Sequence, residues 1–116
     1  MTHPLTSEQR RALSRQARDA FPPMGVYAIR HAASGRVRVG SSRDVHARLT
    51  RIQFELRLGR HLDRKLQALW QQDPAQLSFE VVELVKQRSD ADFDYAGELR
   101  VLEELHREEL STGGRL

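Results

Sequence analysis

One carboxylate falls within an apolar helical stripe near the end of this 116-residue chain. The stripe consists of Ala96, Leu99, Leu102 and Leu110. At about 100° per residue, Glu103 projects onto the same face. An ionised carboxylate on an apolar face is unfavourable unless a cation holds it. That cation would be a divalent metal ion or Arg48; alternatively, Glu103 lies at the edge of the stripe and pairs with Arg100 or Arg107.

Arginine supplies nearly all of the positive charge, since 17 of the 19 basic residues are arginines. Residues 30–65 hold ten basic and three acidic residues, a net charge of +7, whereas residues 66–116 have a net charge of −6. The guanidinium group binds phosphate through two parallel hydrogen bonds, and a basic block attracts polyanions. The block indicates a nucleic-acid partner, although a solvated charged surface would have the same composition.

The composition excludes several classes of site. The chain has no cysteine, which rules out disulfides, a thiol nucleophile and zinc sites built on thiolates. No apolar stretch approaches the roughly 18 residues of a membrane span, and no signal peptide opens the chain. We therefore expect a cytoplasmic protein that does not bind membranes.

The first 23 residues predict a helix and a linker ahead of the main domain. Thr6 to Gln9 has the pattern of a capping box, with Leu5 as the staple residue. The apolar face of the helix would consist of Leu13, Ala17, Ala20 and Phe21. Pro22-Pro23 would end it.

Two β-rich stretches around Ser34-Gly35 predict an antiparallel hairpin, with strands at Met24 to Arg30 and Arg36 to Val39. A third strand is expected over Leu77 to Val85. Its alternation changes phase at Val82, which indicates either a bulge or burial on both faces.

Three further helices complete the pattern. One follows Gly40-Ser41-Ser42, is capped by Ser42 or Asp44 and ends at Gly59. Its stripe is Val45, Leu49, Ile52 and Leu56. The next helix would run from Leu62 to Gln72, and the last from Asp92 to Leu110. In the helix from Leu62 to Gln72, the side chains expected to point into the core are Leu62, Leu66, Leu69 and Trp70.

These elements predict an α+β domain over residues 24–110, in which helices flank a small three-stranded antiparallel sheet. Residues 111–116 contain Gly113-Gly114 and are expected to form a flexible tail.

The hairpin also has a recognisable pair of motifs. Gly25-Val26-Tyr27 and Arg38-Val39-Gly40 are separated by ten residues, and Ser41, Ser42 and Asp44 follow. Arg48 stands eight residues after Gly40. In order and spacing these motifs resemble the GIY-YIG nuclease domain.

The resemblance extends over residues 24–110. His61 stands where several members of the family have a histidine at the start of a helix. Glu103 stands where the family has a metal-binding glutamate, and Glu104 would replace it if the register slipped by one residue.

The resemblance implies a metal-dependent endonuclease that cleaves a phosphodiester bond, with DNA as the expected nucleic-acid partner. Glu103 would hold Mg²⁺ or Mn²⁺, and one carboxylate suffices because Mg²⁺ keeps most of its waters. Tyr27 would be the base, directly or through a water. Its pKa of about 10 in free tyrosine is high for this role, so Arg38 and Arg48 are expected to favour the phenolate.

The resemblance also implies the residues that would bind the phosphate, namely Arg38, Arg48 and Ser41. Arg48 borders the apolar stripe of its helix, so its guanidinium could reach across a cleft to a phosphate. His61 would position or protonate the leaving group.

Each of these residues also has a purely structural interpretation. Tyr27 could be a half-buried strand aromatic, and Arg48 could lay its stem over apolar surface with its charge in water. His61 could simply be exposed. His106 shares the stripe of Glu103 and is expected to pack at the edge of the core.

The second motif departs from the family, because Arg38 stands where tyrosine is usual and arginine stays protonated. The late asparagine of the family has no clear match either. Two alternatives to a nuclease therefore stand beside it. One is a degenerate domain that binds nucleic acid without cutting it. The other is a protein-interaction module that uses the acidic residues of 66–116.

Overall fold

Three antiparallel strands form one sheet in the order β2–β1–β3. They are β1 (Gly25–His31), β2 (Val37–Ser42) and β3 (Leu77–Leu84). The computed structural model describes residue 4 and residues 6–11 and 21–116. The predicted three-stranded sheet and α+β class are confirmed.

Three helices pack on this sheet: α1 (Val45–Arg57), α2 (Arg64–Gln72) and α3 (Tyr95–Leu110). None of the helices in the described part of the chain is long and apolar enough to cross a membrane.

The predicted capping box near the start of the chain is present. The Thr6 N–H donates to Gln9 Oε1 at 2.9 Å, and the Gln9 N–H donates to Thr6 Oγ1 at 3.1 Å. Residues 7–11 are helical. The staple at Leu5 and the helix face within residues 12–20 lie outside the described residues.

The sheet register sets which side chains share a face. Tyr27 pairs with Gly40, and Ile29 with Arg38. On the other side of β1, the register against β3 shifts between Val26 and Tyr27. This bulge explains the change of phase in β3.

The two faces of the sheet pack on different helices. Tyr27 and Ile29 contact a core formed with α1 and α2, whose buried members include Val45, Leu49, Ile52, Leu56 and Leu66. Val26 and Ala28 point the other way, toward Leu102 and Leu110 of α3. The apolar stripe predicted for α1 is therefore confirmed.

The ends of α1 follow the predicted chemistry. Asp44 is the N-cap, and its side chain accepts the Ala47 N–H. Gly59, with φ +70°, follows the C-cap residue Leu58. A left-handed glycine there lets the chain turn without a Cβ clash.

The start predicted for α2 was wrong. The helix begins at Arg64, because the Asp63 carboxylate accepts the N–H groups of Lys65 and Leu66 as its N-cap. Leu62 therefore precedes the first turn and is 95% exposed, where we expected it to point inward.

We expected residues 111–116 to form a flexible tail. Ser111–Gly113 form a single 3-10 turn, and residues 114–116 run along the edge of β2. The Val37 N–H donates to the Gly114 carbonyl and the Leu116 N–H donates to the Val37 carbonyl, both at 3.1 Å. The Leu116 side chain packs against the core that contains Tyr27.

Candidate functional site

Tyr27 lies in the middle strand with its ring over Gly40 of β2. A Cβ at position 40 would overlap the phenol oxygen and the ring carbons beside it. Only glycine leaves room for the ring there. The close approach explains why a glycine stands opposite a tyrosine in this hairpin.

A cavity of about 320 Å³ opens beside the phenol. Three other side chains proposed from the sequence line it with Tyr27, namely Arg38, Arg48 and His61. They come from β1, β2, α1 and the α1–α2 loop. The fold therefore brings together four residues that are up to 34 positions apart in the chain.

Arg38 and His61 are both held by Asp63. The Asp63 carboxylate forms an ion pair with the Arg38 guanidinium. The backbone N–H of Asp63 donates to Nδ1 of His61 at 3.0 Å. In the neutral imidazole, Nε2 must therefore carry the proton. Arg48 is exposed and has no ion pair among the described residues.

The environment raises the pKa of Tyr27 above its usual value. Burial raises it most, Arg48 lowers it, Glu103 raises it and Arg38 lowers it. Both arginines lower the pKa of Tyr27, as expected, but burial outweighs them because it disfavours the charged form. At neutral pH Tyr27 keeps its proton.

Glu103 reaches the end of β2 from α3, on the opposite face of the sheet. The Ser41 hydroxyl donates to its Oε1 at 2.9 Å, and Arg107 Nη2 donates to its Oε2 at 2.7 Å. Arg107 also donates to the Val39 carbonyl at 3.2 Å. The counter-charge of Glu103 is thus Arg107, one of the predicted alternatives, and not Arg48.

Glu103 does not line the cavity of Tyr27. Its charge nevertheless acts on the phenol, and Ser41 and Gly40 are consecutive residues of β2. Among the described residues, the phenol and the carboxylate share no cavity, because Glu103 lies across the plane of the sheet from Tyr27.

Glu103 and Ser41 supply the oxygen atoms nearest to the end of β2 that a hard divalent ion could use. No group of three or more His, Asp or Glu side chains among the described residues could hold a metal ion. One carboxylate and the Ser41 hydroxyl are nevertheless oxygen donors of the kind that Mg²⁺ accepts, with waters and substrate phosphate as its other ligands. Arg107 is the competing cation at Oε2.

One contributor to the site, Asp63, was missed by sequence analysis, whereas Arg107 was among the predicted partners of Glu103. Asp63 caps α2 and holds both Arg38 and His61; its N-cap position ahead of a helical pattern was the available signal. Arg107 stands four residues after Glu103, the spacing of a helical ion pair. His106, expected at the core edge, is 16% exposed, and its Nε2 lies 2.8 Å from Glu83 Oε1.

The comparisons with known proteins support the fold. No family model matches the sequence, and no curated protein is similar to it at the sequence level. The catalytic domain of the homing endonuclease I-TevI is similar in structure, with 22% identity, a TM-score of 0.59, and coverage of 75% of this chain and 87% of that chain.

A mutant of the catalytic domain of the intron endonuclease I-TevI is similar too. It shares 22% identity, with a TM-score of 0.58, over 75% of this chain and 82% of that chain. These likenesses confirm the fold that the resemblance to the GIY-YIG nuclease domain implied.

Proposed function

We propose that this protein is an endonuclease that hydrolyses phosphodiester bonds of DNA with the help of Mg²⁺ or Mn²⁺. The cavity that gathers Tyr27, Arg38, Arg48 and His61 carries the proposal. The likeness to the catalytic domain of an endonuclease supports it. A phosphodiester needs positive charge around its oxygens, a group that takes a proton from water and a group that protonates the leaving oxygen.

Arg48 would bind the scissile phosphate, because it lines the cavity without an ion-pair partner among the described residues. Its planar fork matches two phosphate oxygens. Arg38, already paired with Asp63, would bind a phosphate oxygen through its remaining N–H groups.

Tyr27 would accept the proton of the attacking water, directly or through a second water. Its raised pKa means that the resting phenol is protonated, so the phenolate is a minor species at neutral pH. His61 would position the leaving oxygen through a hydrogen bond from its Nε2–H, and a water molecule would supply the proton to that oxygen.

Glu103 would hold the divalent ion, and Ser41 would orient the carboxylate by its hydrogen bond. When bound, the ion would supply positive charge against the charge that develops on the phosphate. In this arrangement Ser41 acts on the phosphate only through Glu103.

The test is cleavage of supercoiled plasmid and of labelled single-stranded and double-stranded oligonucleotides, in Mg²⁺, Mn²⁺ or EDTA. We expect cleavage only with metal. Tyr27→Phe and Glu103→Ala should each lower the rate by roughly 10²-fold or more. Glu108→Ala removes an exposed carboxylate of the same helix and should leave the rate unchanged. Full activity of Glu103→Ala would refute the metal assignment.

A second candidate is a domain that binds nucleic acid without cutting it. It is favoured by two observations: Arg107 already neutralises Glu103, and the pKa of Tyr27 is raised instead of lowered. Salt-dependent binding with no cleavage in either metal would select this candidate.

A further inference from the structure

Two more cavities continue from the Tyr27 cavity along the edge of the sheet. The second, of about 270 Å³, lies on the edge of β2 and shares Arg38 with the Tyr27 cavity. Arg107 and Arg115 also line it. Because Arg38 lines both spaces, they are direct neighbours.

The third cavity, of about 420 Å³, shares Arg115 and Leu116 with the second. Its apolar lining includes Ala68, Leu69 and Leu116, and His31 lies among its polar members. We call the three cavities together the edge track.

The lining of the edge track is strongly cationic. Its only acidic residue is Glu55, among the residues that the structure describes. The basic ones are Arg36, Arg38, Arg48, Arg51, Lys65, Arg107 and Arg115. Neighbouring cavities with this charge attract a polyanion.

We propose that a single strand of the substrate nucleic acid follows the edge track. The strand would run from the Tyr27 cavity past Arg115, which lies beside the edge of β2, and would place a nucleobase in the third cavity. This inference rests on the proposed function, since it extends the same site to neighbouring nucleotides.

Arg115 is the residue best placed to bind a phosphate next to the scissile one. Its backbone is anchored because both neighbours, Gly114 and Leu116, are hydrogen-bonded to Val37. Its side chain is exposed and has no ion pair among the described residues. Arg38 and Arg107, by contrast, are partly neutralised by Asp63 and Glu103.

The third cavity has the character of a base site. Its apolar side chains offer a surface to the flat face of a base, while Arg36, Lys65 and Arg115 surround it with positive charge. A base can enter such a space only after leaving its stack, which favours single-stranded substrate.

Binding is tested with Tyr27→Phe protein in EDTA, by fluorescence anisotropy of a labelled single-stranded DNA at several salt concentrations. Adding Arg115→Ala should weaken binding roughly tenfold, as for a lost charge-assisted contact. It should also make the salt slope shallower by about 0.7, the value for one phosphate of a single strand. Arg115→Lys should retain the slope. Arg100→Ala, which removes an exposed arginine of α3 outside the edge track, should change neither quantity.

Oligonucleotides shortened stepwise from the 5′ or the 3′ end locate the contact. The edge track extends to only one side of the scissile bond. The loss of affinity caused by Arg115→Ala should therefore disappear when oligonucleotides are shortened from one end and persist when they are shortened from the other end. Equal affinity and slope for Arg115→Ala and its parent would overturn the edge track alone. Absence of any nucleic-acid binding at low salt would overturn the proposed function as well.

Discussion

The phenol of Tyr27 shows how its surroundings set the chemistry of a single residue. The ring lies over Gly40 within a buried patch, and burial raises its pKa more than the nearby arginines lower it. A protonated phenol is a hydrogen-bond donor at rest and becomes a base only after losing its proton. In the proposed mechanism, catalysis through Tyr27 would therefore depend on pH.

We expect the cleavage rate to rise with pH through the alkaline range without levelling off at pH 10, because the fraction of phenolate grows until the raised pKa of Tyr27 is passed. Single-turnover rates between pH 6 and pH 10 measure this. Tyr27→Phe should remove the rise. A rate that falls with pH in this range would instead assign Tyr27 the role of a proton donor.

Glu103 is a second residue whose chemistry is set by its surroundings. Its position in an apolar stripe is tolerated because Ser41 and Arg107 satisfy its two oxygens. The carboxylate therefore has a structural partner whether or not a metal ion binds. The same pairing raises the pKa of Arg107, chiefly through its hydrogen bond to Glu103.

At the scale of elements, the α1–α2 connection positions half of the cavity. Asp63 caps α2, pairs with Arg38 on β2 and donates its backbone N–H to His61. One residue thus links a helix start to two side chains of the site. Burial opposes ionisation of Asp63, but the Leu66 N–H and Arg38 outweigh it and lower the pKa of the carboxyl.

Asp63→Ala should therefore lower the free energy of unfolding by about 1–2 kcal/mol at pH 7, the usual cost of losing an N-cap. Because the folded pKa is lowered, the ionic part of this stability is present above the unfolded pKa of about 3.9 and is lost as pH falls through the folded value. Urea unfolding at pH 7 measures the total loss of stability, and its comparison with unfolding at pH 3 measures the ionic part.

Asp63→Asn is the matched control, since asparagine caps a helix about as well but carries no charge. It should be closer to wild type at pH 3 than at pH 7. If alanine and asparagine destabilise the protein equally, capping is not the source. If that loss is also the same at pH 7 and pH 3, charge is not the source either.

At the scale of the whole molecule, the sheet separates two cores. α1 and α2 pack on the face of Tyr27, and α3 packs on the face of Val26. The proposed site lies at the end of β2, where the two cores are separated only by the sheet. Both cores must be intact for the charge of Glu103 to act on Tyr27. Leu66 ties α2 into the first core with 1% of its surface exposed.

Leu66→Ala should lower the free energy of unfolding by about 2–5 kcal/mol because it leaves a cavity in a closed core. Leu62→Ala makes the same chemical change four residues earlier, at a side chain that is 95% exposed, and should stay within about 0.5 kcal/mol of wild type. Chemical denaturation of both variants tests the pair. A large loss for Leu62→Ala would mean that Leu62 is buried in solution.

Local patterns in the sequence were sufficient for most of the elements, whereas the candidate site residues came from the resemblance to a nuclease family. The four-residue spacing of Val45 and Leu49 depends only on neighbours within the helix. For the phase change in β3 and the cap of α1 the sequence left two alternatives each, and the structure selects the bulge and Asp44. The two β-rich stretches around Ser34-Gly35 likewise predicted the hairpin in which Tyr27 pairs with Gly40.

Only the tertiary structure decided three features: Arg107 as the partner of Glu103, the exposure of Leu62 and the raised pKa of Tyr27. The first depends on which cation lies nearest the carboxylate once α3 has packed on the sheet, since Arg48, Arg100 and Arg107 were all available from the sequence. The second turned on whether Asp63 or an earlier residue caps α2. The third is a balance between burial and charges contributed by three other elements, and such a balance exists only once those elements have packed together.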